Sequence, residues 1–249
     1  MRVFFTLTRR ELAGFLVSIA GYVIIAMAVF LMGLSFSVLV GKLEVPTPMP
    51  IVELFYMTPF FWLILILSVP VITMRLFALE KYSGTYETLM TTPVGDWQVV
   101  LAKFTASLIF YMLMWIPLIG CMYVLSRYSN DAAAFNWVSI GTTYLGIFLV
   151  GALFMSVGLL ASSLTRNQIV AAMVSLAFTV SVFLLSFAGE KFGMETDWMN
   201  EALRYVAMVD HMQDFARGIV DTRQVAFYLT LSSFFLFLTY RVVQSRRWK

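Results

Sequence analysis

The residues of this chain that could do chemistry are few. His211 stands between Asp210 and Asp214, a spacing that would suit a general base or half of a metal site. It is the one histidine, and Cys121 the one cysteine. Zinc and iron sites usually draw on two or more imidazole or thiolate ligands, so neither residue has the company it needs. No serine, threonine or tyrosine in the apolar stretches has a base beside it, which argues against an intramembrane hydrolase. His211 therefore reads as a hydrogen-bonding group on a helix surface. The 16 methionines, among them Met27, Met32, Met57, Met74, Met112, Met114 and Met155, show no clustered ligand spacing and read as packing residues. No G-x-x-x-x-G-K-[ST] run occurs, so the chain has no phosphate cradle; it is not expected to be an enzyme or to hold a cofactor or metal.

One segment does concentrate charge. Between Arg75 and Lys103 lie Glu80, Lys81, Glu87 and Asp96, interleaved with the apolar anchors Leu76, Leu79, Tyr86, Leu89 and Met90. A break follows at Thr92-Pro93-Val94-Gly95, after which Asp96 is placed to cap the next helix. A helix-break-helix of this kind suits docking into a groove on another protein, and it equally suits a solvated connector. The pattern alone leaves both open.

The elements that position this segment follow from composition. Of 249 residues, 61% are apolar and 12% charged, about half the charge of a soluble domain, so the chain could not cover its surface in water. Six apolar stretches, at about 18–41, 54–74, 104–126, 137–164, 168–189 and 225–243, the last charge-free as far as Tyr240, are each long enough to cross a bilayer as a helix. The expected architecture is a single all-α transmembrane domain over residues 1–249. Before span one, Arg2 to Ile19 is two-faced, with Phe5, Leu12, Phe15, Leu16 and Ile19 set against Arg2, Thr6, Arg9 and Ala13. That predicts an amphipathic interfacial helix, carrying Arg9, Arg10 and Glu11. Leu203, Met208, Met212, Phe215 and Ile219 predict an amphipathic or re-entrant helix before span six. Asp221-Thr222-Arg223-Gln224 and Thr165-Arg166-Asn167-Gln168 both have capping-box form, the latter making a tight turn between spans four and five.

Lysine and arginine set the orientation. With the N-terminus inside, the inner side holds Arg2, Arg9, Arg10, Arg75, Lys81, Lys103, Arg166, Arg241, Arg246, Arg247 and Lys249, eleven residues against six outside. Both termini are thus expected in the cytoplasm. None of the charge-free stretches, the last taken to Tyr240, contains Lys, Arg, Asp, Glu or His, which disfavours a proton-driven carrier, although carbonyl-based ion coupling would need none. Gly33, Ser37 and Gly41 in span one, and Gly158 with Ser162 in span four, permit close helix approach, within one subunit or across a dimer seam. Trp62, Trp115, Trp137 and Trp198 read as interface-belt residues, and Pro70 and Pro117 as kink points.

The run Glu80-Lys81-Tyr82-Ser83-Gly84-Thr85-Tyr86-Glu87-Thr88-Leu89-Met90-Thr91-Thr92-Pro93-Val94, with Trp97 and Leu101-Ala102-Lys103-Phe104, resembles a stretch of ABC-2 type permeases. Ser162 to Ala171 and the tail from Phe215 to Trp248 extend the likeness over nearly the whole chain, nearest the gliding-motility and nitrous-oxide-reductase-accessory branch. Tyr82 departs from the basic residue many members carry there. The resemblance implies the membrane subunit of an ATP-binding-cassette exporter in a bacterial inner membrane. It would work as a homodimer or paired with a second permease-like chain, on two copies of a separate cytoplasmic ATPase, with a periplasmic or membrane accessory protein and no nucleic acid. Its coupling helix would lie between spans two and three, with Glu80, Lys81, Gly84, Thr85, Glu87, Pro93 and Asp96 contacting the ATPase or bracing the element, and Gly84 and Pro93 setting its turns. The rival expectation is a membrane anchor that transmits ATPase-driven motion to an outer partner, which the long loop before span six favours.

Overall fold

The computed structural model describes residues 2–42, 51–91, 94–128, 137–191 and 205–245. Pro93, Trp198 and Leu203 lie outside them. Among the described residues all regular structure is helical, and six helices are long and apolar enough to span a membrane.

The helices are α1 (Arg2–Leu16), α2 (Ile19–Lys42), α3 (Ile51–Tyr56), α4 (Pro59–Thr73), α5 (Ala78–Ser83), α6 (Thr85–Thr91), α7 (Asp96–Tyr128), α8 (Trp137–Leu164), α9 (Gln168–Lys191), α10 (Met208–Ala216) and α11 (Thr222–Ser245). The centre is α8. It is apolar all round, and 83% of its membrane window is buried against α4, α7, α9, α10 and α11, compared with 22% for α2 at the periphery. Glycine makes that centre possible. A methyl group at Gly158 would stand 2.2 Å from Thr73 Oγ1 of α4, at Gly151 it would stand 2.3 Å from the Tyr111 ring of α7, and at Gly146 it would strike Phe215 and Met212 of α10. The stripe on α2 is different. Beta-carbons at Gly33 and Gly41 would meet nothing within 4 Å, so close approach within the chain is realised at Gly158 and Ser162 but not at Gly33 and Gly41.

Several expectations change in detail. Helix α4 stops at Thr73, and residues 74–77 turn before α5. The N-terminal end of span two is broken as well, at Met57-Thr58, where the Thr58 hydroxyl donates to Phe55 O and meets Ser35 of α2. Trp115 and Trp62 are core residues rather than belt residues, packed with Phe61 in one aromatic cluster, whereas Trp137 is exposed. The face of α1 turned to the protein carries Leu7, Thr8, Glu11, Leu12 and Phe15, with Phe15 stacked on Phe110 of α7 at 5.0 Å. The other apolar residues of the two-faced pattern, Phe5, Leu16 and Ile19, are exposed on the chain.

Candidate functional site

The charged segment folds into two short helices, α5 and α6, joined at Gly84. That residue ends α5 in the left-handed region at φ 75°, which glycine enters without steric cost. The turn into α5 is held from span four. Ser162 Oγ of α8 accepts from Phe77 N and Ala78 N, both at 3.0 Å, and donates to Met74 O at 3.2 Å. One buried hydroxyl thus satisfies two orphan amides of a helix start and a carbonyl of the helix before it.

Two lysines fasten α5 on opposite sides. Lys103 of α7 is 2% exposed, and its ammonium lies 2.7 Å from Glu80 Oε1 of α5 and 3.2 Å from Glu11 Oε1 of α1, with the Phe77 ring 5.3 Å away. The two carboxylates satisfy a charge that could not otherwise be buried. Glu80 thus ties α5 to α7, and its Oε2 has no hydrogen-bond partner among the described residues. Lys81 reaches the other way, donating to Ser163 O at the end of α8 with its ammonium 5.2 Å from the Tyr86 ring. It too is buried rather than displayed.

The residues left facing solvent are Tyr82, at 79% exposure, with Ser83, Gly84, Thr85 and Glu87. Thr85 Oγ1 meets Ser83 Oγ at 2.9 Å and so stiffens the bend around Gly84. Beside them lies a cleft of about 800 Å³ lined by Lys81, Tyr82, Gly84, Tyr86, Glu87, Arg166 and Ser245. The structure thus brings the exposed edge of α5–α6 together with the α8–α9 turn and the end of α11. Within that turn the capping differs from expectation. Asn167 Oδ1 accepts from Ile169 N at 2.9 Å and is the cap of α9, while Thr165 Oγ1 accepts from Asn167 N one turn earlier. Asp96 belongs to the first turn of α7, with Gly95 O accepting the first helical bonds from Gln98 N and Val99 N. Arg9 and Arg10 are exposed on α1 and stand apart from the cleft.

At the opposite end α10 seals the helix ends. Met208, Met212, Phe215 and Ala216 are buried against α8 and α9, and Met208 N donates to Ser186 Oγ at 3.0 Å. Arg217 clamps Glu53 of α3 through Nη2 at 2.8 Å and Nε at 3.1 Å, with Gln213 adding a bond at 3.2 Å. Asp221 caps α11 through Arg223 N, as expected, yet Gln224 turns to Asp214 at 2.6 Å instead of closing the box. His211 is buried, not a helix-surface group: its Nδ1 pairs with Tyr228 OH at 3.0 Å. Burial pushes its imidazole below the ordinary value, against the upward pull of Asp214 and Asp221. Nothing in the sequence flagged Ser162, Lys103 or Glu11 as one assembly, since their partners lie 23 to 92 positions apart along the chain.

The fold and this charged assembly are those of a membrane protein with a helix pair held at one end of its spans. No curated protein matches the sequence. A family model described as ABC-2 family transporter protein matches residues 50–244, which takes in five of the six spans, the helix pair, its cleft and the α10 seal. The chain is thus a multi-pass member of the ABC-2 transporter family, whose membrane proteins pair with a cytoplasmic ABC ATPase.

Proposed function

We propose that the chain is the permease subunit of an ATP-binding-cassette exporter, coupling ATP hydrolysis in a separate cytoplasmic ATPase to extraction or export of a solute across a bacterial inner membrane. Both termini face the cytoplasm, and the chain itself carries no catalysis. The observation that carries this reading is the helix pair α5–α6. It is rigidly held from behind by Ser162, Lys81 and Lys103, while Tyr82, Glu87 and Arg166 frame an open cleft in front. A lever needs that division, because a surface that must pass on displacement cannot yield where it joins the spans. Glu87, Gly84, Thr85 and the turn residue Arg166 are the contact surface; Glu80 and Lys81 brace it; Asp96 opens α7. Two ATPase copies serve two membrane chains, joined as a homodimer or with a related partner. The α2 stripe at Gly33 and Gly41, uncovered within the chain, supports that pairing.

The test is copurification and ATP turnover. Glu87→Lys should weaken ATPase recovery and solute-stimulated hydrolysis without lowering the unfolding temperature, whereas Glu80→Lys should lower both. Full coupling in the two variants would remove α5–α6 from the coupling path. Transmission to an outer partner, without a solute, is separated by reconstitution: transport in liposomes holding only the permease and ATPase would exclude it.

A further inference from the structure

On the other flank of α5, away from the cleft, a cavity of about 280 Å³ is lined by Arg10, Glu11 and Gly14 of α1, Arg75 and Glu80, and Lys103 of α7, among others. Lys103 is already neutralised by Glu11 and Glu80. Arg10 and Arg75 are not. Neither guanidinium has an ion-pair or hydrogen-bond partner among the described residues. Three cations against two carboxylates leave the lining with one positive charge in excess. The wall on the α1 side is open at Gly14, where a beta-carbon would meet nothing within 4 Å.

The surroundings say what an anion here would be. Along its length α1 exposes Val3, Phe5 and Leu16 as well as Arg9 and Arg10, and the chain continues through exposed Val17 and Ile19 into α2. Apolar and basic residues mixed on one helix surface mark a segment lying at the level of lipid headgroups. Guanidinium groups offer a planar fork of donors matched to phosphate oxygens, and two of them on separate elements can grip one phosphate from both sides.

We propose that this cavity is a phosphate-binding site, filled by the headgroup of an anionic phospholipid or by a free phosphate ion, with Arg10 and Arg75 as donors. The occupant would bridge α1 to the turn before α5, the two elements that the Glu11–Lys103–Glu80 assembly also links. The site requires a membrane-embedded chain and does not depend on the exporter reading.

The full chain, placed in nanodiscs of phosphatidylglycerol and phosphatidylcholine and released into mild detergent, is weighed by native mass spectrometry to count retained phosphatidylglycerol. In a second arm, inorganic phosphate is titrated while the unfolding temperature is followed. The variants are Arg10→Gln with Arg75→Gln, Gly14→Leu to fill the cavity without altering charge, and Arg9→Gln as an exposed arginine outside it. The expected result is a drop in retained phosphatidylglycerol of about tenfold in the first two, and of no more than about twofold in Arg9→Gln. If inorganic phosphate raises the wild-type unfolding temperature and displaces the lipid, with both effects lost in the double variant, the same site takes free phosphate. The proposal is overturned if the double variant and Gly14→Leu retain lipid and answer phosphate as wild type does. It is equally overturned if Arg9→Gln loses as much as the double variant, since the lipid would then be answering diffuse surface charge. Any variant that fails to fold is replaced by Arg10→Gln alone, which alters an exposed side chain.

Discussion

At the scale of single residues, burial decides which charges can meet a partner protein. Glu80 and Glu87 look equivalent in the segment they share, yet one lies against an ammonium that is 2% exposed and the other faces water. Replacing Lys103 by Met should leave two carboxylates unpaired and cost roughly 2–3 kcal/mol, below the usual 3–5 for a buried pair because Glu11 and Glu80 keep 17% and 13% exposure. Thermal unfolding in detergent measures this, and a double-mutant cycle of Glu11→Gln with Glu80→Gln should show non-additivity through their common lysine. Ser162→Ala should cost about 1–3 kcal/mol, since two buried amides lose their acceptor. His211 carries a pH dependence whose sign follows from its lowered value. The folded state binds its proton less readily than the unfolded chain, whose imidazole titrates near 6.5, so stability is level above about pH 7 and falls as pH drops through that value. Unfolding temperatures from pH 7.5 to 5.5 should show this fall in wild type and a shallower one in His211→Gln.

At the scale of elements, the spans and their near-boundaries were legible because length and apolarity suffice to identify them: the prediction at 137–164 coincides with α8, and 168–189 stops two residues short of the end of α9. The faces were less legible. On α1 only Leu12 and Phe15 of the apolar set face the protein, while Phe5 and Leu16, with Ile19 at the start of α2, are exposed, since in a bilayer an apolar residue is equally at home facing lipid. The polar Glu11 and Thr8 are on the packed side instead. Small residues divide in the same way. Gly158→Val should overpack against Thr73 and cost about 1–3 kcal/mol, while Gly33→Val should leave the unfolding temperature of the separate chain nearly unchanged. Should Gly33→Val instead disrupt a two-chain assembly seen by cross-linking, the α2 stripe would be the seam.

At the scale of the whole molecule, the positive-inside count and the fold make a joint prediction about sidedness. In a Cys121→Ser background, cysteine at exposed Arg166 should react with a membrane-impermeant maleimide only after cells are opened, and cysteine at exposed Ile219 before. The reverse pattern would invert the topology. Composition and hydrophobic run length alone determined that this is a six-span helical membrane protein with one charged segment between spans two and three, since a bilayer admits few alternatives for such a chain. The run from Glu80 to Val94 carried the family resemblance, and its charges marked a surface without saying which of them a partner could reach. Only the tertiary structure decided that Glu80 pairs with Lys103 and Lys81 with Ser163, that Ser162 holds the turn into α5, that His211 is buried against Tyr228, and that Arg10 and Arg75 share a cavity. The first three depend on which distant group stands within about 3 Å and the last on which helices enclose one cavity, both matters of helix packing that no local periodicity encodes.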